Sequence, residues 1–239
     1  MANPIISRAE LAVSSTPMTV QGVIKKTTFL LGLTTITGVA FFLYSLMAGV
    51  SSGFISMMAL GSIITAFIMG WVIIAKPHLG KVLAIPYAIL EGVVIGAISL
   101  FVTVKYPTIA PTAMVATFVT AAVMLALYQS RVIRVTEKFR SVLISAVIAI
   151  TLVYLVQIGL SLFSSSIPYL FSGGVVAIGF SLFVVIIASL SLLLDFDNVE
   201  RAKAAGVDES YEWVLSIGIL STLVWMYIEF VRLLRNLQN

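Results

Sequence analysis

Cysteine is absent from the 239 residues, charged residues make up only 10% of them, and histidine occurs once, as His78. Without cysteine there is no disulfide, no thiolate nucleophile and no Cys-based metal site. A soluble fold of this size is excluded as well, because an ordinary soluble domain carries about 25% charged residues. The chain has no Walker sequence, no HExxH and no GxSxG. Its one histidine lies between apolar runs, so a histidine relay inside a membrane is ruled out. The last apolar run holds no lysine, which excludes a retinal Schiff base of the microbial-rhodopsin kind.

What is present is apolar: residues of the set AVILMFWYC are 60% of the chain, and the mean hydropathy is +1.14. A helix that crosses a bilayer needs about 20 such residues in a row. Seven runs meet that length, at residues 27–48, 54–75, 82–104, 110–128, 142–163, 173–194 and 213–234. The expected fold is therefore all-α and integral to a membrane, a seven-helix bundle over residues 27–235 with no room for a second, soluble domain. Residues 1–26 are polar, contain Pro4 and Pro17 and end in Lys25-Lys26. They read as a cytoplasmic arm, since a signal peptide would place a short apolar core after its basic residues and then a small-residue cleavage site.

Basic residues set the direction of the spans. Arg8, Lys25, Lys26, Lys76, Lys81, Arg131, Arg134, Lys138, Arg140, Arg201 and Lys203 fall on one side, against Lys105, Arg232 and Arg235 on the other. Lysine and arginine favour the cytoplasmic face, so the N-terminus is expected inside and the C-terminus outside. The net charge of +4 then reflects orientation and implies no nucleic-acid partner. The basic loop 131–140 is chiefly a topology signal, with anionic lipid heads as a secondary reading. Gly92 and Gly96 form a GxxxG step, which reads as close helix packing. Pro86, in the first turns of the third span, leaves the Val82 carbonyl without its helical donor and predicts a local kink.

Four acids stand out. Glu91 lies about ten residues into its span, which at 1.5 Å per residue is about 15 Å deep, near the bilayer centre. An ionised carboxylate there costs roughly 2.5–3.5 kcal/mol on insertion scales, so it should face the bundle interior or water. It reads as a pathway residue, or as a partner for backbone exposed at the Pro86 kink. Asp195 and Asp197 are read as closing the sixth span and as gating or ion-pathway residues, and Asp197 with Asn198 also fits a simple helix-ending signal at the interface. Glu229 lies in the last span with Arg232 three positions on, a spacing that equally fits a local ion pair. Gln157 in the fifth span reads as helix-to-helix glue. Two carboxylates from different spans that met in a dry bundle would share a proton and titrate as a unit. Sharing it they tie two helices together; fully ionised they repel or accept a hard cation such as calcium.

At these residues the chain resembles the Bax inhibitor-1/YccA family, specifically its bacterial branch. The resemblance rests on the Glu91-Gly92 pair, the Asp195-x-Asp197-x-Val199 run and the ending Tyr227-Ile-Glu-Phe-Val-Arg-Leu-Leu-Arg235. The segments Met18-Thr-Val-Gln-Gly-Val-Ile-Lys-Lys-Thr27 and Tyr128-Gln-Ser-Arg-Val-Ile-Arg-Val-Thr-Glu-Lys-Phe139 fit it too, so it covers nearly the whole chain from about Pro17. It implies a seven-helix bundle of the Bax inhibitor-1 type in a bacterial inner membrane, with the last helix near the centre. It also implies an acidic pair on helices six and seven acting as a pH-sensitive latch over a calcium leak. By position Asp195 matches the sixth-helix aspartate and Glu229 the seventh-helix one, and these two are the calcium-facing residues it implies. The chain departs from the family in having glutamate at 229, aspartate at 197 where glutamine is common, no arginine in the second span, and 34 positions between Asp195 and Glu229.

The expected function is thus a pH-sensitive cation leak, calcium being the transported ion, with no resident cofactor. One alternative is a non-transporting regulator of a membrane protease or another membrane-protein partner, for which the polar arm is the natural contact. Another is proton-coupled transport of a small solute. An enzyme is not expected, because the acids within the spans have no nucleophile, metal cluster or histidine beside them.

Overall fold

Inside a bilayer no water is present to bond the backbone, so an apolar chain must close its hydrogen bonds within helices. The computed structural model describes residues 16–161 and 173–238, together with 163, 167, 168 and 170. Among these are seven long helices: α1 (Val20–Met47), α2 (Ser52–Ala75), α3 (Gly80–Thr103), α4 (Ile109–Gln129), α5 (Glu137–Ser161), α6 (Val175–Ala204) and α7 (Tyr211–Gln238). Each is long and apolar enough to cross a membrane. A single 3₁₀ turn, Pro77–Leu79, leads into α3, which continues through Pro86 as one α-helix. Residues 1–15 of the arm lie outside the described residues.

Two helix ends differ from the sequence expectation. The arm was expected to run to Lys26, yet α1 begins at Val20, where the Thr19 side chain accepts the Gly22 N–H at 2.9 Å. A basic pair reads as a boundary only while its charges are solvated, and Lys26 is ion-paired here instead. The sixth helix was expected to stop at Leu194, with Asp195 and Asp197 closing it, but α6 runs on to Ala204. Asp197 therefore sits inside the helix and pairs with Arg201, one turn further on, at 2.6 Å. The actual stop is Gly206 at φ 66°. There the Gly206 N–H donates to the Lys203 carbonyl and the Val207 N–H to the Ala202 carbonyl, a Schellman ending that favours glycine at the left-handed position.

The chain divides into two compact units, and both α6 and α7 contribute a stretch to each. The first unit comprises residues 1–104 and 195–224. In it α1 crosses α3 at small residues: a Cβ on Gly92 would lie 2.6 Å from the Thr34 carbonyl oxygen, and one on Gly96 2.5 Å from that of Gly38. The Thr34 hydroxyl uses this proximity to donate to the Ala88 carbonyl at 3.0 Å. The GxxxG step is thus a backbone-to-backbone packing site. Nearby, Ile55 of α2 packs with Ala97 and Leu100 of α3. At the start of α1, Met18 and Val23 form a core with Val199, Ala202, Val207 and Tyr211.

The second unit comprises residues 105–194 and 225–239. Its core joins Leu143 and Ile150 of α5 to Val184, Ile187 and Leu194 of α6. Near the end of α7, the buried Asn236 amide donates to the Ser181 hydroxyl at 2.9 Å. In both units large apolar side chains point outward, Ile36, Phe67, Val142 and Leu152 among them. In water such a surface would aggregate; against lipid it is in its proper solvent.

Candidate functional site

The first unit holds two of the expected acids, Glu91 and Asp195, and one turn of α7 bonds Asp195 and the tyrosine that precedes Glu91 by one turn. Consecutive helical residues point about 100° apart, so Ser221 and Thr222 face different neighbours. The Thr222 hydroxyl donates to Asp195 Oδ2 on α6 at 2.7 Å, and the Thr222 hydroxyl oxygen lies 3.2 Å from the Gly218 carbonyl oxygen. The Ser221 hydroxyl shares a hydrogen bond of 2.6 Å with the Tyr87 hydroxyl of α3. Tyr87 stands one helical turn before Glu91 on α3. Tyr87 is buried, while Glu91 and Asp195 are half-buried.

The second unit places Glu229 in a separate cluster. Its side chain is 2% exposed and accepts the Tyr154 hydroxyl at 2.6 Å and the Trp225 indole N–H at 3.2 Å. Arg232 Nη1 lies 3.6 Å from the other carboxyl oxygen and donates to the Tyr154 hydroxyl. The guanidinium also sits 4.9 Å from the Tyr154 ring centre and 5.8 Å from that of Phe180. One buried anion is thus matched by one cation and two neutral donors, an arrangement that satisfies charge locally.

Sequence reasoning paired Asp195 with Glu229. Their side chains have different partners: Asp195 has Thr222, and Glu229 has Tyr154, Trp225 and Arg232. Glu229 and Arg232 are brought together as the i, i+3 spacing allows, and Asp197 is brought to Arg201. Among the described residues no group of three acidic or histidine side chains gathers as a metal-binding cluster.

One buried acid was missed altogether. Glu212, in the first turn of α7, is 3% exposed. It accepts the Thr19 N–H at 2.6 Å, the Thr19 hydroxyl at 3.1 Å and the Lys26 ammonium at 2.7 Å. Lys26 also lies 3.6 Å from Glu209 and 5.1 Å from the Trp213 ring centre. The Met18 N–H donates to Val207 O at 2.8 Å, and the Glu209 N–H donates to Thr16 O at 3.1 Å. The chain entering α1 is thereby fastened to the α6–α7 loop. Gly22 makes room for this clasp, because a Cβ there would lie 1.9 Å from Glu212 Oε2. The sequence signal was an acid placed just outside the seventh span, close behind Asp208 and Glu209, with the lysine that answers it 186 positions away.

Seven apolar helices, with the Asp195 carboxyl turned onto the Thr222 hydroxyl inside the first unit, define an integral membrane protein of the polytopic α-helical class. A search of curated proteins gives no match. The family model described as Bax inhibitor 1 like matches residues 3–239. The chain belongs to the Bax inhibitor 1 like family.

Proposed function

We propose that this protein is a proton-sensitive cation leak, with calcium as the transported ion, and that the contact between Asp195 and Thr222 is where a proton acts. The 2.7 Å bond joining α6 to α7 through an ionisable group carries this reading. Where a carboxylate pair was expected between the sixth and seventh helices, the seventh helix supplies a hydroxyl to Asp195. The chemistry still switches. An ionised Asp195 accepts the one proton of Thr222 and keeps unsatisfied lone pairs, which attract water or a hard cation. A protonated Asp195 donates to the Thr222 oxygen, the hydroxyl turns to the Gly218 carbonyl, and no charge is left to solvate. The leak is accordingly open with Asp195 ionised and closed with it protonated. Glu91 serves the same pathway from α3, and Glu229 with Arg232 holds structure.

The membrane in this reading is a bacterial inner membrane. The N-terminus and the basic loops lie in the cytoplasm, as the lysine and arginine distribution favours. The test is calcium entry into proteoliposomes between about pH 6 and about pH 8, spanning the range in which a buried carboxyl changes charge. Entry that rises with pH supports the leak. Vesicles that stay calcium-tight at every pH overturn it. In that event a stoichiometric membrane partner, lost on removal of residues 1–15, would support the regulator instead.

A further inference from the structure

We propose that the loop between α4 and α5 is a binding site for anionic phospholipid headgroups, with Arg131, Arg134 and Lys138 as its cations and Val132 as an apolar tip. The site stands apart from any ion pathway. Three helices are followed by a residue in the left-handed region: α1 by Gly49 at φ 61°, α6 by Gly206 at φ 66°, and α4 by Arg131 at φ 56°. Arg131 is the one non-glycine residue with a positive φ among the described residues. A side chain there crowds its own backbone, which is why helix ends favour glycine at this position. A topology signal needs only that basic residues be present, in any conformation, and gives no reason for arginine where glycine fits better. Strain held at one fixed place points to a use for the side chain that bears it.

The surroundings turn the loop outward. Behind Arg131, the Ser130 N–H and hydroxyl both donate to the Ala126 carbonyl, at 2.9 and 2.7 Å, and the Arg131 N–H donates to the Tyr128 carbonyl at 3.0 Å. Ahead of it, the Thr136 hydroxyl accepts the Phe139 N–H at 3.2 Å, and Val135 and Phe139 pack onto the core of the second unit. With both ends fixed and these two apolar side chains turned inward, Val132 is left 70% exposed. Arg131, Arg134 and Lys138 are exposed beside it, and the one acid in residues 130–140 is Glu137. The depth suits headgroups. α4 has 21 residues, about 32 Å of rise against a hydrocarbon core of about 30 Å, so its end emerges where the headgroups lie. Residues 130–136 join it to α5, and a returning loop of that length, at about 3.5 Å per residue, reaches no more than about 12 Å from the membrane. Arginine forks onto phosphate oxygens, basic residues this close to an anionic surface are drawn to it, and an apolar tip enters the interface. A partner in the aqueous phase would have to approach through that same lipid layer.

The experiment is native mass spectrometry of the full chain in detergent, titrated with phosphatidylglycerol and with phosphatidylcholine, and repeated with inorganic phosphate as competitor. Phosphatidylglycerol is expected to bind in preference to phosphatidylcholine and to stay bound in millimolar phosphate. Arg131→Gln and Arg134→Gln should each weaken phosphatidylglycerol binding about fivefold, the worth of one charge near an anionic surface. Arg131→Lys should lose less than Arg131→Gln. Arg131→Gly removes the charge and the backbone strain together, so it should bind lipid as weakly as Arg131→Gln while its unfolding temperature in detergent stays level or rises. Lys105→Gln, a cation outside the loop, should leave the affinity unchanged. Equal binding of the two lipids overturns the proposal, as does an unchanged phosphatidylglycerol affinity in both Arg131→Gln and Arg134→Gln. Displacement of the lipid by inorganic phosphate overturns it in favour of a free-anion site. An Arg131→Gly protein that unfolds at a lower temperature with its lipid affinity intact overturns it too, leaving Arg131 to close α4 and nothing more.

Discussion

At the scale of single residues, the acids separate by what answers them. Glu229 and Glu212 each meet a cation, whereas Asp195 meets a hydroxyl. In the function proposed above, Glu229 and Glu212 hold the fold and Asp195 responds to protons. Glu229→Gln removes the carboxylate charge 3.6 Å from the Arg232 guanidinium, and breaking a buried pair costs about 3 kcal/mol. Thermal unfolding in detergent should show that loss, while the pH at which flux is half-maximal stays where it was. Gly22→Ala drives a methyl group into the Glu212 oxygens and is expected to destabilise by about 1–3 kcal/mol. A second substitution, Glu212→Ala, should relieve the clash, so the double variant is less than additive in the same assay. Glu91 and Asp195 were legible as functional candidates because acids in apolar runs have few innocent explanations. Tyr87, Ser221 and Thr222 were not, since ordinary hydroxyls gain meaning only from a partner 27 or 134 positions away.

At the scale of elements, hydropathy located all seven helices and glycine chemistry decided how two of them touch. The crossing of α1 and α3 leaves no space for side chains at Gly92 and Gly96, where the neighbouring atoms include rigid backbone oxygens. Gly96→Ala should therefore force the helices apart and lower the unfolding temperature. Gly61→Ala, a substitution with open space around it, should leave that temperature unchanged or raise it. The end of α6 was misread for an instructive reason. An acidic run resembles an interfacial stop, but within a helix Asp197 gains a basic partner one turn on in Arg201. Gly206 stops the helix instead. Composition marks where lipid ends, and a helix is free to continue beyond it: α6 has 30 residues, about 45 Å of rise against a hydrocarbon core of about 30 Å.

At the scale of the whole molecule, family membership and seven membrane-crossing helices establish what kind of protein this is, and the chemistry of the first unit supplies the function proposed for it. The class was legible from composition, because charged residues are 10% of the chain against about 25% in an ordinary soluble domain. The pairing of Asp195 was not, because a position count along the chain cannot tell which face of α7 meets α6. The most direct measurement is calcium entry into proteoliposomes containing Asp195→Asn protein, compared with wild type across about pH 6 to about pH 8. Asparagine can donate to Thr222 as a protonated aspartate does, yet it never ionises. The account predicts flux held at the low-pH level of the wild type throughout. Flux that still climbs with pH as in the wild type would contradict it.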